Sequence, residues 1–266
     1  MAYQHILFEL DGDGVARLTL NRPEKMNSFN AAMHAELRAA LDDLQRQPAA
    51  RALVLSGAGR GFCAGQDLAD DEVRFAPGSA PPDLGDVVER HYKPLIMRLS
   101  NLRVPTVAAV NGVAAGAGAS LALACDVVIA AHSASFILPF AKIGLIPDTA
   151  CSWLVPQRIG QARALALAMT GDKLPAAKAA DWGLIWEAVA DDALAARVQT
   201  LARQLAAMPT RALVRTRQVM QASRTHTLEQ QLTLEGLYMR ELGRSSDYVE
   251  GVMAFLEKRP PRFTGA

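Results

Sequence analysis

The chain has 266 residues, half of them hydrophobic, which is enough to bury a full core as one domain with at most a small appendage and excludes disorder as its main state. Its 28 basic and 27 acidic residues are interspersed and leave a formal net charge of +1, so no global field would recruit nucleic acid or an anionic membrane. Three cysteines without metal-ligand spacing (Cys63, Cys125, Cys151), scattered histidines and an opening MAYQHILFELDGDG without an apolar signal core predict a reduced, cytoplasmic protein with no metal site.

The chain begins as a hairpin: alternating His5 to Leu10, a turn at Asp11-Gly12-Asp13-Gly14, then alternating Val15 to Leu20 running into Asn21-Arg22-Pro23. Asn30 is placed to cap a helix whose apolar positions Met33, Leu37, Ala40, Leu41 and Leu44 follow the helical period. Pro48 ends it before a strand from Arg51 to Ser56. The segment Asp70 to Gly85 is rich in Pro, Gly and Asp without any period and reads as a mobile loop, covering a pocket or inserted on the surface.

A weaker copy of the strand and helix order follows: a helix around Asp86 to Leu99, a strand Thr106 to Val110, a short Gly/Ala helix and a strand Asp126 to Ala130. The apolar stretch from Val104 to Ala131 is interrupted by Asn111, by glycines and by Asp126, which excludes a membrane span. The order predicts an α/β fold of stacked ββα turns. Trp182 and Trp186 flank a helix stop at Gly183 and are expected to pack between domains. From Asp191 onward strand signals vanish, and helical patterns cover Leu194 to Met208, Leu213 to Ala222, Leu228 to Leu242 and Tyr248 to Leu256. We therefore expect a core over residues 1–190 and a helical part over 191–266 whose apolar faces pack on other subunits.

Two glycine-rich elements each follow a β-like run: GAGRGFCAGQDL from Gly57 to Leu68, and NGVAAGAGA from Asn111 to Ala119. Small residues there allow either tight strand-helix packing or close approach of backbone to a ligand, and a helix starting near Ala117 would present unpaired N–H groups. Two such loops sharing one oxygen would make an oxyanion hole, in which removal of one fixed donor costs roughly 3 kcal/mol of transition-state stabilisation.

Taken with NRPEKMNSFN, PTVAAVNGVAAGAGASLALACDVVIA, KIGLIPD and EGVMAFLEKRPPRF, these elements resemble the crotonase (enoyl-CoA hydratase/isomerase) family over essentially the whole chain. That resemblance implies a spiral of ββα units acting on a coenzyme A thioester, assembled as a trimer or a dimer of trimers through the C-terminal helices. It implies that the hole donors are the backbone N–H groups of Gln66 and Ala117. It also implies that CoA lies along Ala64, Gln66, Asp67 and Leu68, with Lys25 and, from a neighbouring subunit, Phe255 and Lys258 around the nucleotide. No cofactor is implied beyond the CoA moiety of the substrate.

The sequence departs from the family's hydratases at both catalytic glutamates, which match Ser120 and Phe140 here. One carboxylate remains: Asp148 matches the catalytic aspartate of the dienoyl-CoA isomerases and of the 4-chlorobenzoyl-CoA dehalogenase, its alternative role being a helix N-cap. A proton shuttle needs only one such group, so the resemblance implies an isomerase. The phrases NSFN, GAGRGFCAGQDL, KIGLIPD, DWGLIW and GRSSDYVEGVMAFLEKR are similar to the isomerases of aryl epoxide thioesters in phenylacetate catabolism. Δ3,Δ2-enoyl or dienoyl isomerisation, dehalogenation and a non-catalytic acyl-CoA-binding module are the alternatives. For the dehalogenase reading, Phe140 and Lys93 stand where its tryptophan and histidine are expected, and His91 and Trp153 are near only in sequence.

Overall fold

The computed structural model of the chain describes residues 3–75 and 78–265. The opening alternation forms the antiparallel hairpin β1 (Ile6–Leu10) and β2 (Val15–Leu20), with Ile6 opposite Leu20 and Leu10 opposite Ala16. The side chain of Asn30 accepts the Met33 N–H at 2.9 Å and so caps α1 (Ala31–Arg46), whose residues Met33, Leu37, Ala40, Leu41 and Leu44 are buried as the period predicts.

Three strand pairs follow: β3 (Ala52–Gly57) with β4 (Gly61–Cys63), β5 (Thr106–Val110) with β6 (Val113–Ala115), and β7 (Val127–Ala131) with β8 (Ser135–Ile137). The first member of each pair extends a six-stranded sheet in the order β1-β2-β3-β5-β7-β10, closed by β10 (Glu187–Val189). The second member enters a four-stranded sheet, β4-β6-β8-β9, with β9 at Lys173–Pro175. Beyond the hairpin, neighbours in the larger sheet are parallel, as are β4, β6 and β8. Each pair is thus one turn of a spiral that lays one strand on each sheet. Helices close the turns: α2 (Leu84–Val87), a π turn (Val88–Tyr92) and α3 (Lys93–Ser100) before β5, and α4 (Ala117–Leu123) before β7.

Past β8 come α5 (Cys151–Ile159), α6 (Gln161–Thr170) and α7 (Ala176–Asp181). The C-terminal run is α8 (Leu194–Ala206), α9 (Thr210–Ala222), α10 (Leu228–Leu242) and α11 (Ser246–Leu256), matching the helical patterns read there. Helix α8 packs across β2, β3, β5 and β7, whereas α10 packs on α9. Helix α9 is fixed by Arg217, which is buried. It donates to both carboxylate oxygens of Asp126 at 2.6 and 2.5 Å and to the carbonyls of Leu102 and Val104 at 2.6 Å. Asp126 also accepts the Thr106 N–H at 2.8 Å, so the starts of β5 and β7 and the middle of α9 share one ionic hub.

Two expectations change. Trp186 is 68 % exposed and its N–H joins the ladder at Val128, so its ring points outward instead of packing between domains. Trp182 is half-buried, with the Arg163 guanidinium and Lys178 ammonium each 4.9 Å from the ring centre. The segment read as a mobile loop is fastened at its start. The Asp70 carboxylate accepts the N–H groups of Ala31 and Glu72, Val73 is buried, and Glu72 meets His91 Nε2 at 2.6 Å. Residues 76 and 77 of that segment lie outside the described part. Among the described residues no helix is long and apolar enough to cross a membrane.

Candidate active site

Strands β4 and β6 run parallel as neighbours, with Gly61 opposite Val113 and Cys63 opposite Ala114, so the two glycine-rich elements leave the sheet side by side at the strands' carboxyl ends. The glycines let the loops touch backbone to backbone. A Cβ on Gly65, which has φ +93°, would lie 2.9 Å from Ala115 O and 3.5 Å from Ala117 N. A Cβ on Gly118 would lie 2.3 Å from Cys63 O. The close packing of the loops places the peptides of Gln66 and Ala117 together.

The direction of each N–H follows from its peptide. Gly65 O accepts the Phe29 N–H at 2.7 Å, so the trans peptide turns the Gln66 N–H the opposite way, away from Phe29. Ala117 is the first residue of α4, where an N–H has no intrahelical acceptor. Polar side chains within the sequence phrases staple the loops. Asn27, buried and left-handed at φ 56°, donates to Ala58 O and Gly61 O and accepts the Arg22 N–H. Asn111 donates to Gly59 O at 2.9 Å. The donor roles of Asn27 and Asn111 could not be read from local sequence, since they join residues 31 to 52 positions apart.

Asp148 lies between the 3-10 turn Pro139–Ile143 and α5, at the head of an unusual turn: Thr149 and Ala150 are consecutive non-glycine residues in the left-handed region, at φ 52° and 65°. Such residues cost roughly 1–2 kcal/mol each, a strain typical of functional sites. The turn is held through the Asp148 carbonyl, which accepts Cys151 N–H at 2.8 Å and Ser120 Oγ at 3.4 Å. The carboxylate itself accepts the Thr149 hydroxyl at 2.9 Å. It does not cap α5, whose N-cap is Ala150 and has no side-chain cap. Burial pushes the Asp148 carboxyl above the usual aspartate range, partly offset by the Thr149 hydrogen bond.

Behind the Asp148 carbonyl, Ser120 is fully buried and also bonds back to Gly116 O. Phe140 is 8 % exposed and reaches within 3.7 Å of where a Gly116 Cβ would stand, so an aromatic ring lies against the second glycine loop. The Cys63 thiol donates to Asn27 O and burial pushes its pKa up to about 12, which suits packing and not nucleophilic attack. Tyr92 carries no signal in the sequence that marks it for the site. Its ring is buried, its hydroxyl donates to Gln66 Oε1 at 2.5 Å, and the charge of Asp148 contributes to holding its phenol protonated, after burial.

Of the residues expected to bind CoA, Ala64 and Leu68 are exposed on either side of the Gly65–Gln66 peptide, and Lys25 is exposed at the end of the 3-10 turn Pro23–Lys25. Asp67 is a fastener: burial raises its carboxyl, but the ion pair with Arg22 at 2.9 Å and the Ala69 N–H outweigh this and hold it below the usual range. Phe255 is 82 % exposed on α11, and Lys258 follows that helix in the left-handed region. Phe255 lines an apolar groove of about 660 Å³ with Met239, Tyr248 and Phe263, built wholly from residues 209–263. Within one chain, then, these two residues belong to the helical part and not to the glycine loops. His91 pairs with Glu72 and stacks on His34, and Trp153 is half-exposed.

Fixed backbone N–H groups can polarise a carbonyl and a carboxylate can move a proton beside it. The two glycine loops and the half-buried Asp148 are groups of these kinds that the fold brings to one region. The family model described as enoyl-CoA hydratase/isomerase matches residues 11–266. The 1,2-epoxyphenylacetyl-CoA isomerase of Escherichia coli strain K12 is 54% identical over 252 residues, 95% of each chain. A Rhodobacter capsulatus protein named "Probable enoyl-CoA hydratase" is 47% identical over 100% of both chains. The crystal structure of an enoyl-CoA hydratase from Bacillus anthracis superimposes with a TM-score of 0.90 at 29% identity, covering 99% of this chain and 100% of that one. The chain belongs to the enoyl-CoA hydratase/isomerase family, the crotonases, whose enzymes act on acyl-CoA thioesters.

Proposed function

We propose that the protein is a CoA-thioester isomerase that converts 1,2-epoxyphenylacetyl-CoA to the ring-expanded oxepin thioester, with Asp148 as its proton shuttle. The observation that carries this reading is the half-buried Asp148, whose turn is tied through Ser120 to the helix behind the second glycine loop and whose carboxylate, unlike that of Asp67, is not paired with an arginine. By the family resemblance Ser120 and Phe140 stand where hydratases hold glutamates. The 54% identity to an enzyme named for that reaction supports the aryl epoxide as substrate.

In this mechanism the thioester oxygen accepts from the Gln66 and Ala117 N–H groups. The Asp148 carboxylate takes a proton from the carbon α to the carbonyl, and negative charge moves onto the oxygen as the enolate forms. The carbon–carbon bond shared by the epoxide and the six-membered ring breaks as the ring π bonds shift, which gives the seven-membered oxepin. The enolate pair then re-forms the carbonyl, a double bond forms between the α carbon and the ring, and the displaced ring π pair takes the proton back from the Asp148 carboxyl at a ring carbon. Substrate and product share one formula, so no water or external oxidant enters. Backbone at Ala64, Asp67 and Leu68, with Lys25, would hold CoA, and Phe255 and Lys258 of a second copy would close over its nucleotide in a trimer or a dimer of trimers. No cofactor besides the CoA of the substrate is required.

Mass spectrometry of product from three thioesters tests the reading: the aryl epoxide, a 3-enoyl and a 2-enoyl CoA. An isobaric product from the aryl epoxide is expected. Isobaric product from the 3-enoyl thioester alone would make the protein a double-bond isomerase, and gain of water by the 2-enoyl thioester would make it a hydratase.

A further inference from the structure

We propose that Tyr92 is a positioning residue for the oxyanion hole: acting through the side chain of Gln66, its hydroxyl holds the Gly65–Gln66 peptide with the N–H turned towards the thioester oxygen. This rests on the reading of the Gln66 N–H as a hole donor. The peptide in question needs restraint, because it follows a glycine at φ +93°, and rotation about a glycine carries little steric penalty. A rotated peptide would aim its carbonyl where the oxyanion forms.

Two sets of contacts oppose that rotation. On the carbonyl side, Phe29 N–H donates to Gly65 O at 2.7 Å and Phe29 O accepts the Asp67 N–H at 2.8 Å. On the side-chain side, Gln66 is held at both ends: Nε2 donates to Phe29 O at 3.2 Å and Oε1 accepts the Tyr92 hydroxyl. Tyr92 is itself gripped. Its ring is 2 % exposed and stands edge-on to His34 at 4.6 Å and to Phe29 at 5.6 Å between centroids. His34 lies stacked between Phe29 and His91 at 4.9 and 5.0 Å. Burial lowers the His34 pKa to about 3, so the ring that meets Tyr92 edge-on is neutral, and the Tyr92 hydroxyl supplies direction without adding charge of its own.

Tyr92→Phe keeps the ring and its edge-on packing and removes only the hydroxyl. The expected result is a fall of about tenfold in the rate of α-proton exchange of phenylacetyl-CoA, with KM within about twofold of wild type. Gln66→Leu keeps the backbone N–H and should cost a similar factor, and the double variant should be no slower than the slower single one. The infrared stretch of phenylacetyl-CoA labelled with 13C at its carbonyl supplies a readout that needs binding alone. It should be shifted to lower frequency on wild type and less so on Tyr92→Phe, even if wild type exchanges no proton and the isomerase reading fails. A Tyr92→Phe protein with wild-type rate and carbonyl shift would overturn the proposal, as would factors that multiply in the double variant. A carbonyl unshifted on the wild-type protein would overturn it together with the hole.

Discussion

In the proposed mechanism Asp148 moves the proton, and its burial carries a local cost. Burial raises its carboxyl above the ordinary value of 3.8, so the native state holds this proton more tightly than the unfolded chain does. Its contribution to stability is therefore most favourable below 3.8 and is lost as pH rises through the raised folded value. Two outcomes follow. The kcat/KM for proton exchange should fall on the acid side with an apparent pKa above that of a free aspartate, read from a pH profile. Asp148→Asn should unfold at a higher temperature than wild type at neutral pH, and calorimetry should show that advantage shrinking as pH falls towards 3.8. Asp148 was legible because it stands in KIGLIPD, but its left-handed turn was not: Thr149 and Ala150 carry no glycine signal, and their strain is imposed by α4 and α5. Tyr92, Arg22 and Asn27 were hidden for a similar reason, each acting on a residue distant in sequence.

At the scale of elements, the long strands and helices followed directly from periodicity, including the hairpin, α1, β3, β5, β7 and the four C-terminal helices. The three-residue strands β4, β6, β8, β9 and β10 were not legible, since three residues carry no period and β4 and β6 sit within glycine-rich runs. Those short strands matter most for the site, because pairing of β4 with β6 is what brings the two loops together. Gly118 is where that pairing is least tolerant. In Gly118→Ala the new methyl would meet the Cys63 carbonyl, a backbone atom that cannot rotate away, and we expect a loss of roughly 2–3 kcal/mol in urea unfolding with weakened exchange activity.

For the whole molecule, the sheets end at Val189, and among the described residues every later element is a helix. Helix α8 and the Arg217–Asp126 hub tie the start of that run to the core, whereas α10 and α11 expose Leu228, Leu232, Met239, Val249, Phe255 and Leu256. Apolar side chains in such number on neighbouring helices favour burial in an assembly. Light scattering is expected to give three or six times the chain mass, and a monomer at micromolar concentration would contradict the assembly and the role given to Phe255 and Lys258 of a second copy.

The most direct test of the central claim is exchange of the α-protons of phenylacetyl-CoA in D2O, followed by mass spectrometry for wild type and Asp148→Asn under identical conditions. Deuterium uptake catalysed by the wild-type protein and abolished by the substitution is predicted. Uptake that continues unchanged in Asp148→Asn would show that another group moves the proton and would contradict the mechanism.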